Sequence, residues 1–160
     1  MDPSRPRPAG GGPTGSLDPN AGGAPVACYN GRRVLRFLLV SVGGALGSGA
    51  RYLLSGWVLT RLGPGFAYGT LAVNVVGSFF ICLVMRLSVM GDVVSPDARL
   101  FLTTGVMGGF TTYSTFDFET FTYVREAAYG LAALNVAATL VLCFLAGMVG
   151  DTAGRWMVRA

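Results

Sequence analysis

Four long apolar runs, separated by short polar connections, limit what this chain can fold into more than any other feature. The first covers residues 34 to about 59, which as a helix would measure about 39 Å, enough for a tilted path across a bilayer. The second, residues 68 to 87, would measure about 30 Å. A third begins near residue 97 and a fourth runs from residue 131 to 149. With 52% hydrophobic residues against 12% charged, and a mean hydropathy of +0.55, most of the chain is suited to lipid rather than water. The sequence therefore predicts an all-α, multi-pass membrane protein with four spans.

Residues 1–30 differ from the rest. They are rich in Gly, Pro, Ala and Ser and hold almost no large apolar side chain, so they read as a disordered tail ahead of a membrane domain over 31–160. The tail lacks the basic start and short apolar core of a secretory signal, and the first span is expected to remain in the mature protein. The net charge of +4 comes from arginine alone, with no lysine and no histidine. Those arginines sit at the ends of apolar runs, a pattern of membrane anchoring and not of nucleic-acid binding. Cys28, Cys82 and Cys143 are odd in number and distant in sequence, so they offer neither a disulfide framework nor a CxxC metal site and read as packing residues.

The third run carries the informative irregularity. Ser95-Pro96-Asp97 supplies a cap, a first-turn proline and a first-turn acid, so a helix starts at about Asp97. Gly105, Gly108 and Gly109 follow, and then Thr111-Thr112-Tyr113-Ser114-Thr115, where glycine, β-branched and hydroxyl residues weaken a helix at mid-membrane depth. A break is expected there, with the helix resuming through Phe116 and Phe121 to about residue 128 and Gly130 turning the chain into the fourth span. Irregular backbone in the hydrocarbon is tolerated only where protein covers it or it lines a polar path. Close glycine-mediated helix packing is the competing explanation.

Polar residues inside the spans extend the choice. Thr70, Asn74 and Ser78 recur every four residues on one stripe of the second span, uncharged donors that would replace part of an anion's hydration without trapping it. Asn135 and Thr139 repeat the pattern in the fourth span as a facing stripe. Ordinary interhelical hydrogen bonds would use the same residues. Tyr113 and Phe116 share a helix face, where aromatic rings either fill a core or present their positive edges to an anion. Arg51 and Glu119 are the intramembrane charges, and Arg51 either snorkels to the interface or makes a vestibule that concentrates anions.

Three blocks resemble the signature segments of the Fluc (CrcB) fluoride channels: Gly43-Gly44-x-x-Gly47-x-x-x-Arg51-Tyr52, Gly69-Thr70-Leu71-x-Val73-Asn74-x-x-Gly77-x-Phe79, and Gly105-x-x-Gly108-Gly109-Phe110-Thr111-Thr112-Tyr113-Ser114-Thr115-Phe116. The resemblance extends from about Arg32 to the C-terminus, and its third block is the most specific. It implies an antiparallel, dual-topology dimer with two pores along the subunit boundary, conducting fluoride passively out of the cell. It also implies a central structural sodium ion held by the backbone carbonyls of Gly108 and Thr111. By position, Asn74 matches the family's pore asparagine, Thr70 its threonine, Tyr113 and Phe116 its pore phenylalanines, Ser114 and Thr115 its hydroxyl pair, and Glu119 its acidic position. Tyr113 departs from the family's phenylalanine, adding a phenolic hydroxyl, and Asn135 and Thr139 stand where tyrosine and serine are usual.

Nine arginines (5, 7, 32, 33, 36, 86, 99, 155 and 159) fall on one side of the expected topology, against Arg61 and Arg125 on the other. This bias favours a single orientation with both termini in the cytoplasm. The partner is then either a second copy or an oppositely inserted paralogue. No enzyme chemistry is expected, since the chain has no histidine, no nucleophile–base pairing and no phosphate-binding glycine loop. A proton-coupled four-span drug transporter would need a membrane carboxylate that the first two spans lack, and a purely structural membrane protein would leave the break and the stripes as packing.

Overall fold

The structure, a computed structural model, describes residues 26–90 and 94–159, with side chains described for 31–89 and 94–159. The tail expected over residues 1–30 falls outside these up to residue 25. The described chain is helical, with α1 (Val26–Leu62), α2 (Tyr68–Met90), α3 (Pro96–Leu100), a π-helical segment (Phe101–Met107), α4 (Gly108–Phe110), α5 (Tyr113–Arg125) and α6 (Tyr129–Arg159). Three helices, over Gly31–Leu62, Tyr68–Val89 and Tyr129–Arg159, are long and apolar enough to cross a membrane.

Local chemistry explains the ends. Gly63 closes α1 at φ +75°, its amide bonding the Leu59 carbonyl at 2.9 Å, in a left-handed conformation that glycine adopts without a Cβ clash. Ser95 caps α3 by accepting from the Ala98 amide, with Pro96 and Asp97 in the first turn. The turn into α6 is made by Ala127 at φ 57°, with the Ala128 amide reaching the Tyr123 carbonyl at 2.8 Å. Gly130, expected to make that turn, lies inside α6 instead. Ala127 takes the reversal because α5 ends two residues earlier, at Arg125.

Contacts between helices fix their directions. Arg36 meets Asp97, Gly43 lies against Phe101 and Gly105, and Ser48 donates to the Gly109 carbonyl, so α1 and the α3–α4 unit run parallel. Phe79 lies against Gly150 and Arg86 against Gly154 and Asp151, so α2 and α6 also run parallel. Thr70 meets Glu119 whereas Asn74 meets Thr112, so α2 and α5 run antiparallel. Alternate segments thus share a direction, as in a chain that goes up and down four times.

The glycines bring these helices together. A Cβ on Gly43 would sit 2.9 Å from the Gly105 Cα, and one on Gly109 would sit 2.9 Å from the Gly44 Cα. Gly105 and Gly109 therefore serve close packing against α1. Gly108 does not: its Cβ would meet only the Thr103 carbonyl, at 3.8 Å. Where the side chains go inverts the arrangement of a water-soluble protein. Thr70, Asn74, Ser88, Thr112 and Asn135 are buried, whereas Phe37, Leu53, Trp57, Phe144 and Trp156 are exposed. Such a surface is stable in apolar surroundings.

Candidate functional site

The site is built where α1, α2 and the segment between α4 and α5 meet. After Phe110 the chain leaves helical geometry for two residues, Thr111 at φ −76°, ψ 156° and Thr112 at φ −149°, ψ 112°, and α5 starts at Tyr113. Both residues are β-branched, which suits extended backbone. Asn74 on α2 covers the interruption: its Nδ2 donates to the Thr112 carbonyl at 3.0 Å, and its Oδ1 accepts from the Thr112 amide at 2.8 Å. A buried carboxamide thereby satisfies both backbone polar groups of Thr112, a residue taken out of the helix. The Thr112 hydroxyl caps α5 by accepting from the Thr115 amide at 3.2 Å, and shares further contacts with the Thr115 hydroxyl at 2.9 Å and the Ser114 hydroxyl at 3.4 Å.

Two carbonyls lose their helical donors as a result. In an unbroken helix the Thr112 amide would bond the Gly108 carbonyl and the Thr115 amide that of Thr111. Here Asn74 takes the first amide and the Thr112 hydroxyl the second. Gly108 is exposed on the chain's surface and Thr111 half-buried.

Beside the interruption lies a cleft of about 250 Å³ lined by Ser48, Arg51, Tyr52, Ser55, Thr70, Val73, Thr112 and Thr115. Arg51 is half-buried there and no carboxylate pairs with it among the described residues. The cleft therefore holds one positive charge and several hydroxyls. Thr70 leads from it to α5, donating to Glu119 Oε1 at 2.7 Å. The second Glu119 oxygen, Oε2, is buried without a hydrogen-bond partner.

On α5, Phe116 is buried at 8% exposure while Tyr113 is 77% exposed, yet their rings touch, with centroids 5.6 Å apart and planes at 54°. Ser114 and Thr115 are exposed beside Tyr113. Together these make an outward-facing polar and aromatic edge on one chain.

Of the residues singled out in the sequence, Arg51, Thr70, Asn74, Thr111, Thr115, Phe116 and Glu119 gather in this region. Ser78 leaves the stripe and lines a separate groove between α2 and α6. On α6, Asn135, 1% exposed, donates to Thr120 on α5 at 2.8 Å rather than to the α2 stripe, and Thr139 is half-buried one turn further on. Thr112 is the residue that sequence reasoning passed over, although a threonine three residues before Thr115 at the start of a helix carried an N-cap signal. Ser48 and Ser55 gave no signal beyond their place among the α1 glycines.

The profile of the family "CrcB-like protein, Camphor Resistance (CrcB)" matches residues 38–151. The chain is 51% identical over 122 residues to the fluoride-specific ion channel FluC of Anaeromyxobacter sp. (strain K), covering 76% of this chain and 97% of that one. It is 45% identical to the protein of the same name from Sorangium cellulosum, over 77% of this chain and 97% of the relative. Identity to that of Geobacter metallireducens is 43%, over 76% and 98%. These relatives are channels and not enzymes. The chain belongs to the Fluc (CrcB) family and is a multi-pass integral membrane protein.

Proposed function

We propose that this chain is a subunit of a fluoride channel that lets the anion leave the cell passively, limiting its toxicity. The observation that carries the reading is the clasp of Asn74 on the interrupted backbone at Thr112, beside a cleft that holds an arginine with no carboxylate partner among the described residues. A halide entering lipid must replace its hydration, and uncharged donors in numbers do so without binding it too tightly to leave.

In this reading Arg51 draws the anion into the cleft, and the hydroxyls of Thr70, Ser114 and Thr115 with the free N–H of Asn74 take over from water. The ring edges of Tyr113 and Phe116 line the narrow part, and Thr139 belongs to the track contributed by α6. Glu119 bounds the far end, where its orphaned oxygen marks a point of unmet polarity. A membrane potential negative inside favours exit by about 2.3 kcal/mol per 100 mV for a monovalent anion crossing the whole field.

The units α3 to α5 form the third of four spans, broken mid-membrane, with α2 and α6 parallel on either side of it in sequence. The exposed edge at Tyr113, Ser114 and Gly108 is covered by a second subunit in opposite orientation, so that two pores run along the shared boundary. The Gly108 and Thr111 carbonyls fit a hard cation, being oxygen donors whose helical amides are engaged elsewhere. A sodium ion held by this pair from each subunit would supply the charge that joins the two breaks. The arginine bias makes the second subunit an oppositely inserted paralogue, with a second copy as the alternative.

Fluoride efflux from liposomes containing the folded, paired protein tests the proposal. Efflux well above that of empty vesicles is expected, with chloride retained. Leakage no faster than from empty vesicles ends the channel reading.

A further inference from the structure

The groove between α2 and α6 is separate from the proposed pore. Its volume is about 840 Å³, and its walls are mostly apolar, including Ile81, Met85, Phe144 and Met148. One end is closed by charge. Arg86 bonds Asp151 Oδ1, with contacts from Nε and a second guanidinium nitrogen at 2.6 Å, and Arg155 bonds Asp151 Oδ2 at 2.9 Å. Gly154 makes room for this, because a Cβ there would sit 2.7 Å from the Arg86 Cγ, so the arginine stem lies flat across α6. The two arginines share one carboxylate and leave a net positive charge at the groove's end, with Arg159 one turn further on. A guanidinium carries five N–H donors, so each arginine keeps donors besides those spent on Asp151.

The helix directions put this end level with the start of α3 and the early part of α1, since Arg36 pairs with Asp97 there. It is the arginine-rich end of the molecule, which faces the cytoplasmic leaflet under the positive-inside bias, and that leaflet carries the anionic lipid. An apolar groove between two helices long and apolar enough to cross a membrane, ending in a cationic pair held by Asp151, matches one ligand chemistry.

We propose that the α2–α6 groove seats an anionic glycerophospholipid, its acyl chain between Ile81, Met85, Phe144 and Met148 and its phosphate on Arg86 and Arg155. Asp151 acts as the positioning residue that holds both guanidinium groups in place. The seat requires no conduction and stands whether or not the channel reading does.

The test is native mass spectrometry of the full-length detergent-solubilised protein titrated with dioleoyl phosphatidylglycerol, dioleoyl phosphatidylcholine and inorganic phosphate. Phosphatidylglycerol retained at roughly fivefold lower concentration than phosphatidylcholine is expected, the effect of the one net positive charge that the arginine pair and Asp151 leave. Inorganic phosphate alone is not expected to be retained. Arg155→Gln, on an exposed side chain, should remove much of the preference without loss of folding. Ile81→Trp, which fills the groove, should displace the lipid while the oligomer survives. Equal retention of the two lipids, or an unchanged preference in both Arg155→Gln and Arg86→Gln, overturns the proposal. So does dissociation of the oligomer by Ile81→Trp, which would make the groove a subunit seam.

Discussion

Asn74 and Thr112 are joined by two hydrogen bonds, 3.0 Å from the carboxamide nitrogen to the carbonyl and 2.8 Å from the amide to the carboxamide oxygen. A side chain on α2 therefore completes the backbone pairing that the third helical unit gives up between Phe110 and Tyr113. Asparagine is suited to this because it is the shortest side chain carrying a donor and an acceptor in the same plane. The same bonds divert the Thr112 amide from the Gly108 carbonyl, so the clasp both stabilises the interruption and exposes what the interruption offers.

Asn74→Ala leaves a buried amide and a buried carbonyl without partners, each costing about 1–3 kcal/mol. Thermal unfolding in detergent should shift down accordingly, and fluoride efflux should fall to the level of empty vesicles even at temperatures where the bundle remains folded. Asn74→Asp keeps the acceptor but sets a carboxylate against the Thr112 carbonyl, and is expected to be at least as damaging. Unchanged efflux in Asn74→Ala would displace this residue from the pore.

Thr70 and Glu119 form the second polar link between α2 and α5, at 2.7 Å. Thr70→Val removes the donor from a carboxylate whose other oxygen already lacks a partner, and should destabilise the protein by about 1–3 kcal/mol. Glu119→Gln removes the charge, so in the Thr70→Val background it should restore much of that loss. A double-mutant cycle on unfolding midpoints measures the coupling, and additive losses would show that the two residues do not act together.

How much of this was open to sequence reading follows from which forces are local. The all-helical membrane class and the three apolar crossings are written in composition and run length, and the Ser95 cap in three adjacent residues. The partner of Asn74 was not legible, because the i, i+4 pattern places Thr70, Asn74 and Ser78 on a stripe without saying what that stripe meets. Packing splits it: Thr70 and Asn74 face the third unit, while Ser78 turns into the groove beside α6. Asn135 fails as a facing residue for the same reason, since Thr120 on the neighbouring α5 claims its donor. Nor does composition reveal the π-helical segment at Phe101–Met107, where the Gly108 amide reaches the Thr103 carbonyl five residues back.

Packing of α1 on the third unit gives a direct test of the glycines. A Cβ on Gly47 would fall inside the Val106 carbonyl oxygen and 2.8 Å from the Phe110 amide nitrogen, both rigid backbone. Gly47→Ala should destabilise by about 1–3 kcal/mol or more and move the helix that carries the interruption. Gly56, on the same helix, has nothing within 4 Å of its Cβ, so Gly56→Ala should be neutral or stabilise by about 0.5–1 kcal/mol. Equal effects of the two substitutions on the unfolding midpoint would contradict the contact.

Ala127 occupies left-handed backbone at φ 57°, where a non-glycine residue is strained by about 1–2 kcal/mol. Ala127→Gly should therefore raise the unfolding midpoint, offset in part by the greater freedom of glycine in the unfolded chain, for a net gain of about 1 kcal/mol or less. Efflux should be unaffected, since the turn joins α5 to α6 well away from Asn74. A lower midpoint would mean that the turn adopts another conformation in the membrane.

The arginines give the last prediction. Parallel pairing of α1 with α3–α4 and of α2 with α6 sets Arg32, Arg33, Arg36, Arg86, Arg99, Arg155 and Arg159 toward one end, and Arg61 and Arg125 toward the other. Insertion reads that asymmetry, so nearly every copy should place its C-terminus in the cytoplasm. In the proposed antiparallel dimer, two such copies would not supply opposed edges at Tyr113 and Gly108, and an oppositely inserted paralogue would. A topology reporter fused after residue 160 should then signal from the cytoplasmic side alone, and the subunit purified without a partner should give no efflux. Comparable signals from both sides, together with efflux from the isolated subunit, would instead mean that one sequence inserts both ways and pairs with itself.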